Sequence, residues 1–206
     1  MAKIRLHLRV ELDKVDFGAL TWYEDATRLI QELYGEQWQL FVDLLASTSP
    51  RQQVKRNWRI ADAVLKAYLN RETKPKFFGD LLGGNQILPV HRNNIVRALQ
   101  RKPISGQKVW RFAENLKGNL NVVTIDVWIC RAYGIDDKKD LTPTMYRRLE
   151  NRIIRDAKHC NATPAGYQAV LWSAIRRLSG LRAKSFVSIY RSIFMETPYF
   201  AFMKED

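Results

Sequence analysis

Apolar residues recur along this chain mostly at three- and four-residue spacing, the period of a helix with one buried stripe. Val54, Trp58, Ala61, Val64, Leu65 and Tyr68 form such a stripe, with Arg51, Lys55, Arg56 and Arg59 off it. This predicts a core-packing helix with a basic outer face. One segment breaks the pattern. Ile4, Leu6, Leu8, Val10 and Leu12 alternate with polar residues at period two, which predicts a short N-terminal strand with no second clear strand to pair with.

Local punctuation divides the remainder into helices. Ser49-Pro50, Thr142-Pro143 and Thr163-Pro164 each put a hydroxyl residue before a proline. The hydroxyl can accept an unpaired first-turn N–H, and proline at the first helical position lacks a donor that would go unused there. Gln52 follows Ser49 by three positions and completes a capping-box pattern, so a helix is expected from Pro50. Pro75 and Gly83-Gly84-Asn85 isolate a short helix at 77–82, and Pro103 ends one running over 90–101. Further helices are expected at 22–34, 37–46, from Gln107 to the Gly118-Asn119 stop, and at 126–133, 143–160, 164–178 and 184–196, with 122–125 extended. The reading is an all-α fold of about ten helices.

A length of 206 residues suits a single domain over 1–206, with one main core or two helical lobes around a cleft. The 46% hydrophobic and 27% charged composition is that of an ordinary globular protein. No apolar run approaches the roughly 18 residues of a spanning helix, and Met1-Ala2-Lys3-Ile4-Arg5 lacks the apolar block of a secretory signal. A soluble intracellular protein with no membrane partner is expected, and a monomer is the default. Cys130 and Cys160 are the two cysteines, too few for a disulfide framework or a four-cysteine zinc or iron-sulfur site. No acidic cluster has metal-ligand spacing, which disfavours a metal-dependent nuclease, and Tyr190-Arg191 lacks the supporting set of a tyrosine recombinase.

Charge changes the picture more than any of these. Thirty-four Lys and Arg against 21 Asp and Glu leave a formal +13, which makes nucleic acid the leading partner. The cations are interleaved with aromatics along predicted helices rather than gathered in one block, as a membrane-surface anchor would have them. Arg147, Arg148, Arg152 and Arg155 put a basic face on one helix, suited to phosphates or simply to solvent.

The most informative stretch is Lys102-Pro103-Ile104-Ser105-Gly106-Gln107-Lys108, a turn with glycine at the head of a helix. Such a turn presents backbone N–H groups that can hold a phosphate, and the adjoining lysine adds charge. Eighteen positions later, Asp126 follows an extended segment and opens a helix. It is either a plain N-cap or a carboxylate facing a cleft.

Three blocks together resemble the helix-hairpin-helix DNA glycosylase superfamily, to which endonuclease III and the 8-oxoguanine glycosylases belong. The family hairpin Leu-Pro-Gly-Val-Gly-x-Lys is similar to residues 102–108, sharing the proline, the second glycine and the final lysine. The family's Val-Asp-Thr-His block resembles Thr124-Ile125-Asp126-Val127-Trp128-Ile129-Cys130-Arg131. The spacing from Lys108 to Asp126 equals that of the two catalytic residues of endonuclease III. The segment Leu40 to Ser49 resembles the family's first core helix and its turn toward DNA. Ile104 replaces the first hairpin glycine, Thr48 stands where endonuclease III has a base-replacing glutamine, and the iron-sulfur cysteines are absent.

The resemblance implies two helical lobes around a cleft, one spanning 40–133 with the hairpin, the other built from the N- and C-terminal helices. It implies a base-excision enzyme on double-stranded DNA carrying a damaged or modified base, in the cytoplasm or nucleoid. Such an enzyme extrudes the nucleotide and stabilises positive charge on the sugar as the glycosidic bond breaks. Lys108 would attack the sugar as a neutral amine and permit strand scission, giving a glycosylase with abasic-site lyase activity, while Asp126 supplies the carboxylate. Lys102, Ile104, Ser105, Gly106, Gln107, Thr48 and Arg51 would contact DNA. Trp128, Gln168 and Trp172 are the leading base-pocket residues, with Trp22, Tyr23, Trp38 and Tyr167 as further aromatic candidates. No cofactor or metal is implied beyond a monovalent cation at the hairpin in a DNA complex. The alternatives are a water-using glycosylase resting on Asp126, a non-catalytic module in which the same hairpin grips DNA and Asp126 is only a cap, and a basic protein that binds RNA or another protein.

Overall fold

The computed structural model describes residues 17–70, 87–135, 141–181 and Ser188, and among these the protein is all-α, with no strand. The alternating segment 4–12 and the helix expected at 77–82 lie outside the described residues, as does 184–196 apart from Ser188. A short 3-10 turn, Phe17–Thr21, leads into α1 (Trp22–Tyr34), and a second, Gly35–Gln37, into α2 (Trp38–Thr48). There follow α3 (Val54–Leu69), α4 (Pro89–Leu99), α5 (Gln107–Leu116), α6 (Val127–Ala132), α7 (Pro143–His159) and α8 (Pro164–Leu178).

Two of the three hydroxyl-proline starts form as the pattern predicts. The Thr142 hydroxyl accepts the Met145 N–H at 3.2 Å and the Thr163 hydroxyl accepts the Gly166 N–H at 3.1 Å, with proline at the first helical position in both. Ser49-Pro50 does not start a helix. The Ser49 hydroxyl turns back to donate to Ala46 O at 2.9 Å, Arg51 takes a left-handed φ of 59°, and α3 begins only at Val54. Pro50 O is held from a distance, at 2.8 Å, by the ring Nε2 of His91 in α4. The turn is therefore fixed by a partner 41 positions away, which local capping chemistry does not reveal.

The chain divides into two compact units, one made of 1–25 and 114–185, the other of 26–113 and 186–206. In the second unit α2 lies against α3 and α4, burying Phe41, Leu44 and Leu45 together with Trp58, Ile95 and Ala98. The Phe41 ring stacks on Tyr34 at 3.7 Å between centroids and meets Trp58 at 4.9 Å, giving this core an aromatic centre.

In the first unit α8 is central, packed on α6, α7 and the turn Phe17–Thr21. Its core joins Val123, Ile125, Ile129 and Tyr133 to Tyr146, Leu149 and Ile153 of α7 and to Tyr167 and Leu171 of α8. Close approach to the 3-10 turn depends on Gly166, where an added Cβ would stand 2.6 Å from Leu20 O. Tyr133 donates to Asp156 at 2.9 Å and is hydrogen-bonded to Tyr167. Burial, with smaller contributions from Asp156 and Cys160, pushes the Tyr167 phenol up to about 12.

Candidate functional site

The segment before α6 runs through the interior of the first unit, and side chains of α7 satisfy its backbone. Tyr146 accepts the Ile125 N–H and donates to Val123 O, both at 2.9 Å, while Glu150 accepts the Val123 N–H at 3.1 Å. Asn115 holds the carbonyls of Asn119 and Val122 at 2.9 Å each and accepts the Thr124 hydroxyl at 2.8 Å. A buried extended strand of chain without sheet partners needs such bonds, because each unpaired backbone group costs about 1–3 kcal/mol. The result is a rigid lead-in that delivers Asp126 to the head of α6.

Asp126 is only partly buried, and both carboxylate oxygens are occupied. Oδ1 accepts the N–H groups of Trp128 at 3.0 Å and Ile129 at 3.1 Å, capping α6. Oδ2 accepts the indole Nε1–H of Trp172, from α8, at 2.9 Å. The N-cap alternative is thus realised, and a second bond from a distant helix aims the carboxylate at the same time.

Around this carboxylate the first unit gathers half-buried aromatics. Trp22 meets Trp172 edge to face at 5.5 Å. The Arg176 guanidinium lies over Trp172 at 4.7 Å and over Trp128 at 5.2 Å, and Arg131 covers Trp128 at 4.5 Å. The Arg176 Nε is buried without a hydrogen-bond partner, leaving a donor beside two indole faces. Deeper in, Tyr23 donates to the Gln168 side-chain oxygen at 2.9 Å beside the Thr124 hydroxyl. Burial raises the Tyr23 phenol well above its ordinary value, the Thr124 hydroxyl opposes this, and the charge of Asp126 adds to it. Tyr23 is therefore a neutral donor throughout the ordinary pH range. Carboxylate, amide, phenol and indoles in one place can bind a planar polar heterocycle by stacking and edge hydrogen bonds.

The hairpin belongs to the second unit. After α4, Arg101 takes φ 56°, and the Lys102 N–H closes on Arg97 O at 2.8 Å. Asn94 clasps the loop, donating to Ser105 O at 2.9 Å and accepting the Ser105 N–H at 2.8 Å and its hydroxyl at 3.0 Å. Gly106 adopts φ 98°, a region that favours glycine, and α5 starts at the next residue. The first bond of α5 runs from the Trp110 N–H to Gly106 O, so the first turn, which carries Lys108, holds the N–H groups without an intrahelical partner.

Asp126, Trp128, Gln168 and Trp172 come together in the first unit. Lys108, Lys102, Gln107, Gly106, Ser105, Ile104, Thr48 and Arg51 belong to the second. Lys102, Gln107 and Arg51 are exposed and Lys108 half-buried, although the Gln107 side chain is taken by Arg111. Two expected DNA contacts are turned inward. Thr48 is fully buried, donating to Asn57 Oδ1 at 2.6 Å with Leu44 O 2.9 Å away, and the Ile104 side chain packs inside. Ser105 has its N–H and hydroxyl occupied by Asn94, so it offers neither to a phosphate. Pattern reading missed Arg176, Asn115 and Thr124. Of these only Arg176 left a signal, four positions after Trp172 on one helix face.

Among the described residues no three His, Cys, Asp or Glu side chains group as a metal site, and no helix is long and apolar enough to cross a membrane. No curated protein and no solved structure matches the chain. The chain belongs to a family described as "Family of unknown function (DUF7178)", whose model matches residues 6–179.

Proposed function

We propose that this member of the DUF7178 family is a DNA base-excision enzyme, a glycosylase with associated abasic-site lyase activity. The observation that carries the reading is Asp126, held between the head of α6 and the Trp172 indole among half-buried tryptophans. An extruded base would stack on the indoles and present its edge to Gln168 and Arg176, while Asp126 stabilises positive charge on the sugar. Lys108, eighteen positions before Asp126 on the preceding helix, is the proposed nucleophile, and the exposed Lys102 and the first turn of α5 the proposed backbone grip. The formal +13 supports a nucleic-acid substrate.

The test is a panel of duplexes, each with one damaged or modified base, incubated with the unmodified protein and with Asp126→Asn. The reading expects excision of at least one base, lowered in the variant by on the order of 10²- to 10³-fold, with duplex affinity retained. A second reading, a non-catalytic DNA-binding module, is favoured by the capping bonds that already occupy Asp126. It predicts no excision from any duplex and equal affinity in both proteins.

A further inference from the structure

The charged residues of α7 are sorted by face, and the base-excision reading does not use them. Arg148, Arg152, Arg155 and His159 follow one another at three- and four-residue spacing, flanked by Arg147 and Lys158, so the six cover an arc of about 140° over about 18 Å of helix. All are exposed except Arg152, which is half-buried with its guanidinium 5.0 Å from the Tyr133 ring centroid. Of the two acidic residues of the same helix, Glu150 lies on the opposite side and Asp156 at the edge of the arc beside Arg152, and both are engaged elsewhere. Glu150 is buried on the Val123 N–H, and Asp156 accepts the Tyr133 hydroxyl. Among the described residues no carboxylate pairs with Arg147, Arg148, Arg155 or Lys158. Among the described residues four like charges are thus held side by side with no protein counterion, an arrangement that repels itself unless a polyanion lies across it.

We infer that the outer face of α7 is a docking surface for the sugar-phosphate backbone of a nucleic-acid duplex, separate from the hairpin of the other unit. Charge complementarity identifies the occupant. Along about 18 Å one strand of a duplex presents roughly five phosphates, at about 3.4 Å of axial rise each, against the four unpaired cations and Arg152. The arc carries no Phe, Tyr or Trp, and its one imidazole, His159, is bonded through Nδ1 to Arg155 O, which favours a duplex with its bases hidden over a single strand. An anionic membrane is the weaker match, because Met145 is the one exposed large apolar residue of the helix and there is no stripe to enter lipid. The surface reads charge and spacing, so it gives affinity and orientation without sequence preference. The inference stands whether or not Asp126 is catalytic.

The test is fluorescence anisotropy with an undamaged 20-base-pair DNA duplex across a salt series, using the full chain. The variant Arg147→Gln/Arg148→Gln/Arg155→Gln/Lys158→Gln removes exposed side chains only, and a companion carries Arg→Lys at the three arginines. The quadruple variant is expected to flatten the slope of log affinity against log salt by about 3 to 4, and the companion to keep it. Unchanged slope in the quadruple variant, or loss in the companion equal to that in the quadruple, overturns the proposal. So does tighter binding of the unmodified protein to vesicles of phosphatidylglycerol than to the duplex. Because the duplex is undamaged and no bond is broken, failure here is distinguishable from failure to excise a base.

Discussion

Removing the Asp126 side chain should separate its structural bonds from its charge. In Asp126→Ala, Trp128 and Ile129 lose their cap and the Trp172 indole loses its acceptor. An N-cap is worth about 1 kcal/mol, and a hydrogen bond to a charged group about 1.5–3 kcal/mol, taken here near 1 because Asp126 is partly open to solvent. The alanine variant should therefore lose roughly 2 kcal/mol, or about 4–8 °C in Tm for a chain of this size. Asp126→Asn keeps Oδ1 as the cap but sets an amide NH2 donor against the indole N–H, so only the indole bond is lost and the variant should lose about 1 kcal/mol. Urea unfolding followed by circular dichroism measures both. Equal losses in the two variants would refute this division of labour, as would an alanine variant within 0.5 kcal/mol of the parent, roughly the spread of neutral surface changes. If excision falls in Asp126→Asn far beyond what its small stability loss explains, the charge acts in catalysis.

Gly166→Ala should destabilise by about 1–3 kcal/mol, despite alanine's better helix propensity, since its Cβ would stand 2.6 Å from Leu20 O and 2.9 Å from the Thr163 hydroxyl that caps α8; thermal melting reads it. Thr48→Val should cost about 1–3 kcal/mol by leaving Asn57 Oδ1 buried and unpaired, with DNA affinity unchanged once the variant is folded; urea unfolding and anisotropy check the two halves. His91 accepts the Leu88 N–H at Nδ1 and bonds Pro50 O through Nε2, and burial outweighs the Pro50 bond to lower its pKa. The unfolded chain then binds the proton more readily, so this contribution is complete above about pH 6.5 and is lost as pH falls below it. His91→Gln should flatten the dependence of stability on pH between 7 and 5, as measured by denaturant midpoints.

What the sequence made legible follows from how local each cause is. Thr142-Pro143 and Thr163-Pro164 cap their helices with bonds three residues long, and the starts of α7 and α8 fall where the pattern placed them. Ser49-Pro50 carries the same local signal, yet the ring of His91, far along the chain, fixes a turn there instead. The candidate site divides in the same way. Asp126 at the head of a helix was readable from its neighbours, but its bond to Trp172 spans 46 positions and that of Tyr23 to Gln168 spans 145. No periodicity encodes such pairs. Thr48 was misplaced for a related reason, because a hydroxyl at a helix end reads as surface until Asn57 of the next helix is seen to meet it.

Whether Lys108 is the nucleophile is decided by borohydride trapping on duplex DNA with a single abasic site, comparing the unmodified protein with Lys108→Gln. A lysine that attacks the sugar C1′ forms an imine, which borohydride reduces to a stable amine joining protein to DNA. With Lys108 as the nucleophile, the unmodified protein yields a covalent adduct that disappears in Lys108→Gln. No adduct from the unmodified protein, or an adduct of equal yield in the variant, would contradict that role.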